Sequence, residues 1–250
     1  MNPRIGHYAI SQAENAWQFW LSTRGRRMAL ATQARWRAIF QAAINASAKV
    51  NGVVAPRISV VKQKTQEVAA WLTKAEQDRL LESYADHVRP IALVLCFQGL
   101  RSAEALRLDW KHVDFSRRSI FVAKSKSGRQ RSVPMHPRVF DALREIWIAC
   151  GRPSVGPVFL NRWGRPYTDT AEKKEGGNPI TKAHRTACKR AGIVGFTPHS
   201  WRHHWASWMV MTGCDLVTLM RLGGWSSPAM VQRYAAVSAD HMADAIRRLT

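Results

Sequence analysis

The sequence predicts a mainly α-helical chain with a small antiparallel β-sheet, an α+β fold. Three observations carry this expectation. Apolar residues recur at helical spacing through most of the chain, the period shortens to two between about residues 119 and 134, and glycines or prolines mark the breaks. A chain of 250 residues holds one or two domains, and 46% hydrophobic composition can bury a real core.

Taken in order, Trp17, Phe19 and Trp20 open a helical region over residues 14–50. Within it, Trp36, Ile39, Phe40, Ala43 and Ile44 fall at helical spacing, and Asn51-Gly52 ends the run. Residues 51–66, with Pro56, Lys62 and Lys64, read as a basic linker. The expected division is a small helical domain with its linker over residues 1–62 and a larger domain over residues 63–250. Thr73-Lys74-Ala75-Glu76 is a capping-box pattern that starts a helix with Leu80 and Leu81 inward. An apolar helix from Ile91 to Phe97 stops at Gly99, and a short helix follows from about Ser102 to Leu108. Residues 119–123 and 130–134 are short strands around a turn of Lys, Ser and Gly. Helices are expected again at about 138–149, 179–191, 199–211, 215–222, 227–236 and 239–248.

Charge narrows the partner. Lys and Arg number 38 against 17 Asp and Glu, a net charge of +21. Such an excess calls for a polyanion, and nucleic acid is the commonest. No stretch approaches the ~18 consecutive apolar residues of a membrane-spanning helix. Met1-Asn2-Pro3-Arg4 lacks a signal peptide's apolar core. Cys96, Cys150, Cys188 and Cys214 are scattered with no CxxC pair, which reads as reduced thiols of a cytoplasmic protein. No membrane partner is expected.

One set of polar residues points to phosphodiester chemistry. His199 and Arg202 lie three apart and share a helix face behind Thr197-Pro198, where the helix N-terminus adds positive potential for an anion. Arg202 can grip phosphate oxygens bidentately, and His199 can donate to phosphate or move a proton. Arg101, just after the turn at Gly99, can be aimed into a cleft, with Glu104 one turn on to orient it. Lys126, in the turn between the strands, can serve as a general acid. Tyr234 is a weak nucleophile until cations stabilise its phenolate. His199 and His203 also stand at metal-ligand spacing, but Ser200 occupies the place of the glutamate in a zinc-protease helix, so no metal is expected. His203 and His204 are read as packing or DNA-facing residues.

The order Arg101, Lys126, His199, Arg202, Trp225, Tyr234 resembles the tyrosine recombinase (phage integrase) family. The stretches that carry the resemblance are Gly99-Leu100-Arg101-Ser102-Ala103-Glu104, Lys126 ahead of Arg131-Ser132-Val133-Pro134, His199-Ser200-Trp201-Arg202-His203, Leu222-Gly223-Gly224-Trp225 and Gln232-Arg233-Tyr234. It implies a recombinase catalytic domain preceded by a short helical core-binding domain that clamps DNA. It also implies a mechanism. Tyr234 attacks a DNA phosphate to give a 3′-phosphotyrosyl link, Arg101 and Arg202 stabilise the transition state, Lys126 protonates the leaving 5′-oxygen, and His199 assists the nucleophile. Trp225 stands where many members carry His; its N–H can donate to phosphate but cannot titrate. No cofactor is implied.

The expected partner is double-stranded DNA. Arg117, Arg118, Lys124, Arg129 and Arg131 in one run, and Lys182, Arg185, Lys189 and Arg190 in another, would track its phosphates. A final helix carrying Met242, Ala245, Ile246 and Leu249 on one side implies, by the same resemblance, a homotetramer on DNA, with accessory DNA-bending proteins as further partners and association with the nucleoid. Two alternatives share these residues: a catalytically weak or silent DNA-binding relative, and a type IB topoisomerase-like relaxer.

Overall fold

The computed structural model describes residues 8–61, 71–123, 130–167 and 178–235. The chain divides into two compact units, Met1–Glu67 and Val68–Thr250.

The first unit is built on two helices, α1 (Ala13–Thr23) and α2 (Leu30–Val50), joined through a 3₁₀ turn at Gly25–Arg27. Trp17 and Trp20, one turn apart on α1, stack with centroids 5.1 Å apart, and Phe40 of α2 packs 5.4 Å from Trp17. The described part of the segment read as a linker, residues 51–61, packs on the two helices. Ile58 is buried with Ala13, Trp17 and Trp20. The extended backbone around it finds its hydrogen bonds on helix side chains, as buried main chain must. Gln41 donates to Pro56 O at 2.9 Å and accepts from Ile58 N at 3.0 Å, Arg37 donates to Ile58 O at 2.8 Å, and Glu14 accepts from Ser59 N at 2.7 Å. The apolar stripe expected on α2 is only partly used: Trp36 and Ile39 are exposed.

The second unit opens with α3 (Lys74–Glu82), whose capping box forms as read: Thr73 Oγ1 accepts from Glu76 N, and Glu76 accepts from Thr73 N at 2.8 Å. The helix α4 (Arg89–Gln98) is the central pillar. Ile91 through Cys96 are all buried, because α6 (Pro137–Ala149) and α8 (Ser200–Met211) pack against it. Gly99 ends α4 in the left-handed region at φ 58°, and α5 (Ser102–Leu106) follows at once.

The sheet has three antiparallel strands in the order β1 (Val113–Asp114), β2 (Ser119–Val122), β3 (Arg131–Pro134). Ile120 pairs with both Val113 and Val133, and Ile120, Val122 and Val133 face the core while Phe121 faces out. The two-residue β1 was not expected, since so short a strand has no period to read. The remaining helices are α7 (Thr181–Ala191), α9 (Leu216–Gly223) and α10 (Ala229–Ala235). Trp205, Ala206, Val210, Leu219, Trp225, Val231 and Tyr234 make a small second core among α8, α9 and α10. The mainly helical fold with a small antiparallel sheet is thus the architecture observed. The helix expected at 239–248 lies outside the described residues. Among the described residues no helix is long and apolar enough to cross a membrane.

Replacing Ile58 by Ala should lower the stability of the first unit by about 2–4 kcal/mol, the usual range for emptying a packed aliphatic site. Urea unfolding followed by the fluorescence of Trp17 and Trp20 measures it. A loss under about 0.5 kcal/mol, the range of surface substitutions, would show the segment to be a loose linker after all.

Candidate active site

Arg202 lies at the centre. It projects from the first turn of α8, 3% exposed. Nη1 donates to Gly99 O at 2.5 Å and Nη2 to Gly223 O at 2.6 Å. Its guanidinium stacks over the Trp225 ring, 4.0 Å from the centroid. These approaches depend on the glycines. A Cβ on Gly99 would strike the Trp205 ring, and one on Gly223 would strike Trp225. Burial, then the nearby Arg101 charge, pulls the Arg202 pKa down to about 9, which still leaves it cationic at neutral pH. Two of its five N–H donors go to these carbonyls.

A carboxylate organises the other two cations. Arg101 is the N-cap of α5, and its N–H donates to Glu104 Oε2 at 2.9 Å while Nη1 pairs with Oε1 at 2.9 Å. Its Nη2 reaches Gly224 O at 3.3 Å. From β3, Arg131 pairs with Glu104 Oε2 at 2.7 Å and donates from Nε to Leu222 O at 2.7 Å. Burial works against the Glu104 carboxylate, but the hydrogen bond and charge of Arg131, with the Arg101 N–H, outweigh it and hold its pKa below the ordinary value. Arg131 therefore corrects an expectation. It belongs to no surface run: its side chain is 7% exposed and ties the sheet to the end of α9. The strand alternation held that signal, because Arg131 and Val133 share one face.

Three rings complete the site. Tyr234, on α10, is 1% exposed, and its ring lies 5.8 Å from that of Trp225. Its hydroxyl is hydrogen bonded to His203 Nδ1 at 2.5 Å. His199, at the start of α8 and open to solvent on one side, meets His203 edge to face with centroids 5.0 Å apart. Burial pushes the Tyr234 phenol up against the opposing pull of Arg233 and Arg202. Burial, followed by the charges of Arg202, Arg101 and Arg233, lowers His199. His203, read from sequence as packing or DNA-facing, is the residue that sequence reasoning missed. Its spacing from His199 was visible, but its meeting with Tyr234 joins two helices and leaves no local pattern. His204 is a packing residue: it accepts from Leu72 N at 3.1 Å and bonds Gln77 at 2.9 Å.

Arg101, His199, Arg202, Trp225 and Tyr234 thus come together, with Glu104 behind Arg101. Lys126 lies outside the described residues, as do Lys124 and Arg129. Arg117 and Arg118 are exposed beside the sheet, with Arg118 also lying over Phe140. Lys182, Arg185, Lys189 and Arg190 form the exposed side of α7, whose other side buries His184, Ala187, Cys188 and Ala191. Among the described residues no group of three or more His, Cys, Asp or Glu could hold a metal ion.

Glu104→Gln would leave Arg101 and Arg131 without their counter-charge, at a cost of about 3–5 kcal/mol. The pH dependence has a definite sign. A carboxylate whose pKa is lowered in the folded state contributes stability that is complete above its ordinary value of 4.5 and is lost as pH falls through the lowered one. Thermal melts between pH 3 and 7 should show a steep acid decline in the unaltered chain and a shallower one in the variant. Parallel declines would deny Glu104 this role.

Comparison with known proteins gives the family and the fold. The phage integrase family model matches residues 70–241. The integrase of Salmonella phage P22 is 28% identical over 204 residues, which cover 78% of this chain and 50% of that protein. Tyrosine recombinase XerC of Pediococcus pentosaceus is 27% identical over 202 residues, covering 75% of this chain and 64% of its own. The chain therefore spans about half to two thirds of the length of these relatives. The fold is shared with the Tn1549 transposon integrase in complex with circular intermediate DNA, at TM-score 0.74, 22% identity, 99% of this chain and 89% of that one. XerH recombinase bound to palindromic difH substrate gives TM-score 0.69 at 19% identity over 96% of this chain and 72% of that one. By the family model, which spans well over half of its length, the chain belongs to the phage integrase family.

Proposed function

We propose that this chain is a site-specific DNA strand transferase that cleaves and rejoins DNA through a 3′-phosphotyrosyl intermediate, as its relatives' names suggest. The observation that carries the reading is the meeting of a buried phenol, a buried arginine and two imidazoles around Trp225. A phosphate seated there would meet the guanidinium of Arg202 and the partly exposed guanidinium of Arg101, both held in place before substrate arrives. Preorganised cations of this kind stabilise the charge that grows on a phosphorane-like transition state. Tyr234 supplies the nucleophile, and Lys126 protonates the leaving 5′-oxygen. The phosphodiester's energy is kept in the tyrosyl link, so rejoining requires no ATP, and side-chain cations meet the charge without a cofactor.

The partner is double-stranded DNA. XerH and the Tn1549 integrase were each captured on DNA, and the net charge of +21 suits such a partner. The exposed face of α7, with Arg117 and Arg118, would track phosphates and make binding fall steeply with salt. The first unit would act as a partial DNA clamp, with Arg24, Arg26 and Arg27 exposed at its helical turn. Assembly as a tetramer through the C-terminal helix belongs to the same reading, as do accessory DNA-bending proteins and a place on the nucleoid.

Covalent trapping tests it. The protein is incubated with nicked duplexes drawn from DNA flanking its own gene and run on a denaturing gel. A protein–DNA adduct should form, vanish in Tyr234→Phe, and form on the order of 10²–10³-fold more slowly in Arg202→Ala, the usual cost of one transition-state donor. Adducts that persist in Tyr234→Phe would overturn the assignment. Relaxation of supercoiled DNA with no sequence preference would identify a topoisomerase-like enzyme instead.

A further inference from the structure

We propose that His203 is the group that takes the phenolic proton of Tyr234 when the tyrosine attacks phosphate. This rests on the strand-transferase reading and deepens it, since the resemblance places that assistance on His199. The geometry selects His203. Its Nδ1 stands 2.5 Å from the Tyr234 hydroxyl, with the two rings at centroids 5.9 Å apart. His199 instead meets the His203 ring edge to face.

The direction of the hydrogen bond follows from burial. Tyr234 is 1% exposed. If Nδ1 carried the proton and donated it, the phenol O–H would be left to find another partner in a closed site, and an unmade buried hydrogen bond is costly. The favoured arrangement has the proton on Nε2 and the O–H donating to Nδ1, which is the arrangement from which a proton can be passed. Burial first, then His199, Arg233 and Arg202, keep the His203 ring neutral by lowering its pKa to about 4. Among the described residues, those groups and Tyr234 are the titratable and charged side chains that face it, from the N-cap and first turn of α8 and from α10.

Burial keeps Tyr234 a phenol in the free protein, and the same cations oppose an imidazolium at His203. A DNA phosphate gripped by Arg101 and Arg202 brings the negative charge that offsets this opposition. Proton transfer is thereby tied to the presence of substrate. In the step itself the Tyr234 Oη–P bond forms, the P–O5′ bond breaks, the phenolic proton passes to His203 Nδ1, and the leaving oxygen takes a proton from Lys126. Rejoining reverses each movement, and His203 returns the proton to the phenol.

The test is single-turnover adduct formation on saturating nicked duplex as a function of pH. His203→Asn places an oxygen near the position of Nδ1, so it can accept the same hydrogen bond but cannot carry the proton away. It should react ~10²–10⁴-fold more slowly, the span of general base catalysis. Its rate should go on climbing with pH where the unaltered chain levels off. Installing a fluorinated, more acidic tyrosine at position 234 should restore much of the variant's rate. A variant that matches the unaltered chain, or a deficit indifferent to phenol acidity, overturns the inference while leaving Tyr234 as nucleophile. Absence of any adduct from the unaltered chain removes the strand-transferase reading and this inference with it. If His203→Asn does not fold, fluorotyrosine at position 234 of the otherwise unaltered chain decides. The pH at which its rate levels off should stay fixed by His203; a levelling point that moves down with phenol acidity would contradict the proposal.

Discussion

A buried arginine with no carboxylate bonded to it among the described residues is the constraint on which the second unit depends. Arg202 donates its hydrogen bonds to two main-chain carbonyls, those of Gly99 and Gly223. A buried charge is tolerable only if its donors are met. Meeting them here requires the end of α4 and the end of α9 to converge on one point of α8. Both ends can do so because they lack side chains where the Trp205 and Trp225 rings pass. Gly99 also sits at φ 58°, where a side chain would add strain. The apolar core among α8, α9 and α10 is therefore also the support of the site.

Around that centre the charges are left out of balance. Among the described residues Arg101, Arg131 and Arg202 are the cations that meet there, and Glu104 is the carboxylate between Arg101 and Arg131. Glu104 fixes Arg101 and Arg131, and Arg131 carries the constraint into the sheet and to Leu222. Burial, and after it the neighbouring positive charge, lowers the Arg202 and His199 pKa values. In the proposed function a phosphate bound there would offset this positive charge, with the cations already held in place.

Much of this was legible in the sequence, because its signals are local. Helical periods gave the helices, Gly99 marked a stop, and Thr73 with Glu76 marked a start. Arg101, His199, Arg202, Trp225 and Tyr234 stood out by their order, and the structure places them in one site. What stayed hidden depends on distant partners. Arg131 sits in a run of basic residues, and its charge drew attention from the alternation that puts it beside Val133. Ile58 is a single apolar residue in an extended segment, which offers no period. His203 gains its meaning from Tyr234, a residue on another helix, so only the fold reveals the pair.

The central claim is a covalent bond between DNA and one tyrosine. Mass spectrometry of a trapped adduct, digested with nuclease and trypsin, tests it most directly. Cleavage after Arg233 should release a peptide that begins at Tyr234. This peptide should carry a nucleotide linked through its 3′-phosphate. A nucleotide on any other residue, or a 5′-phosphate linkage on Tyr234, would contradict it.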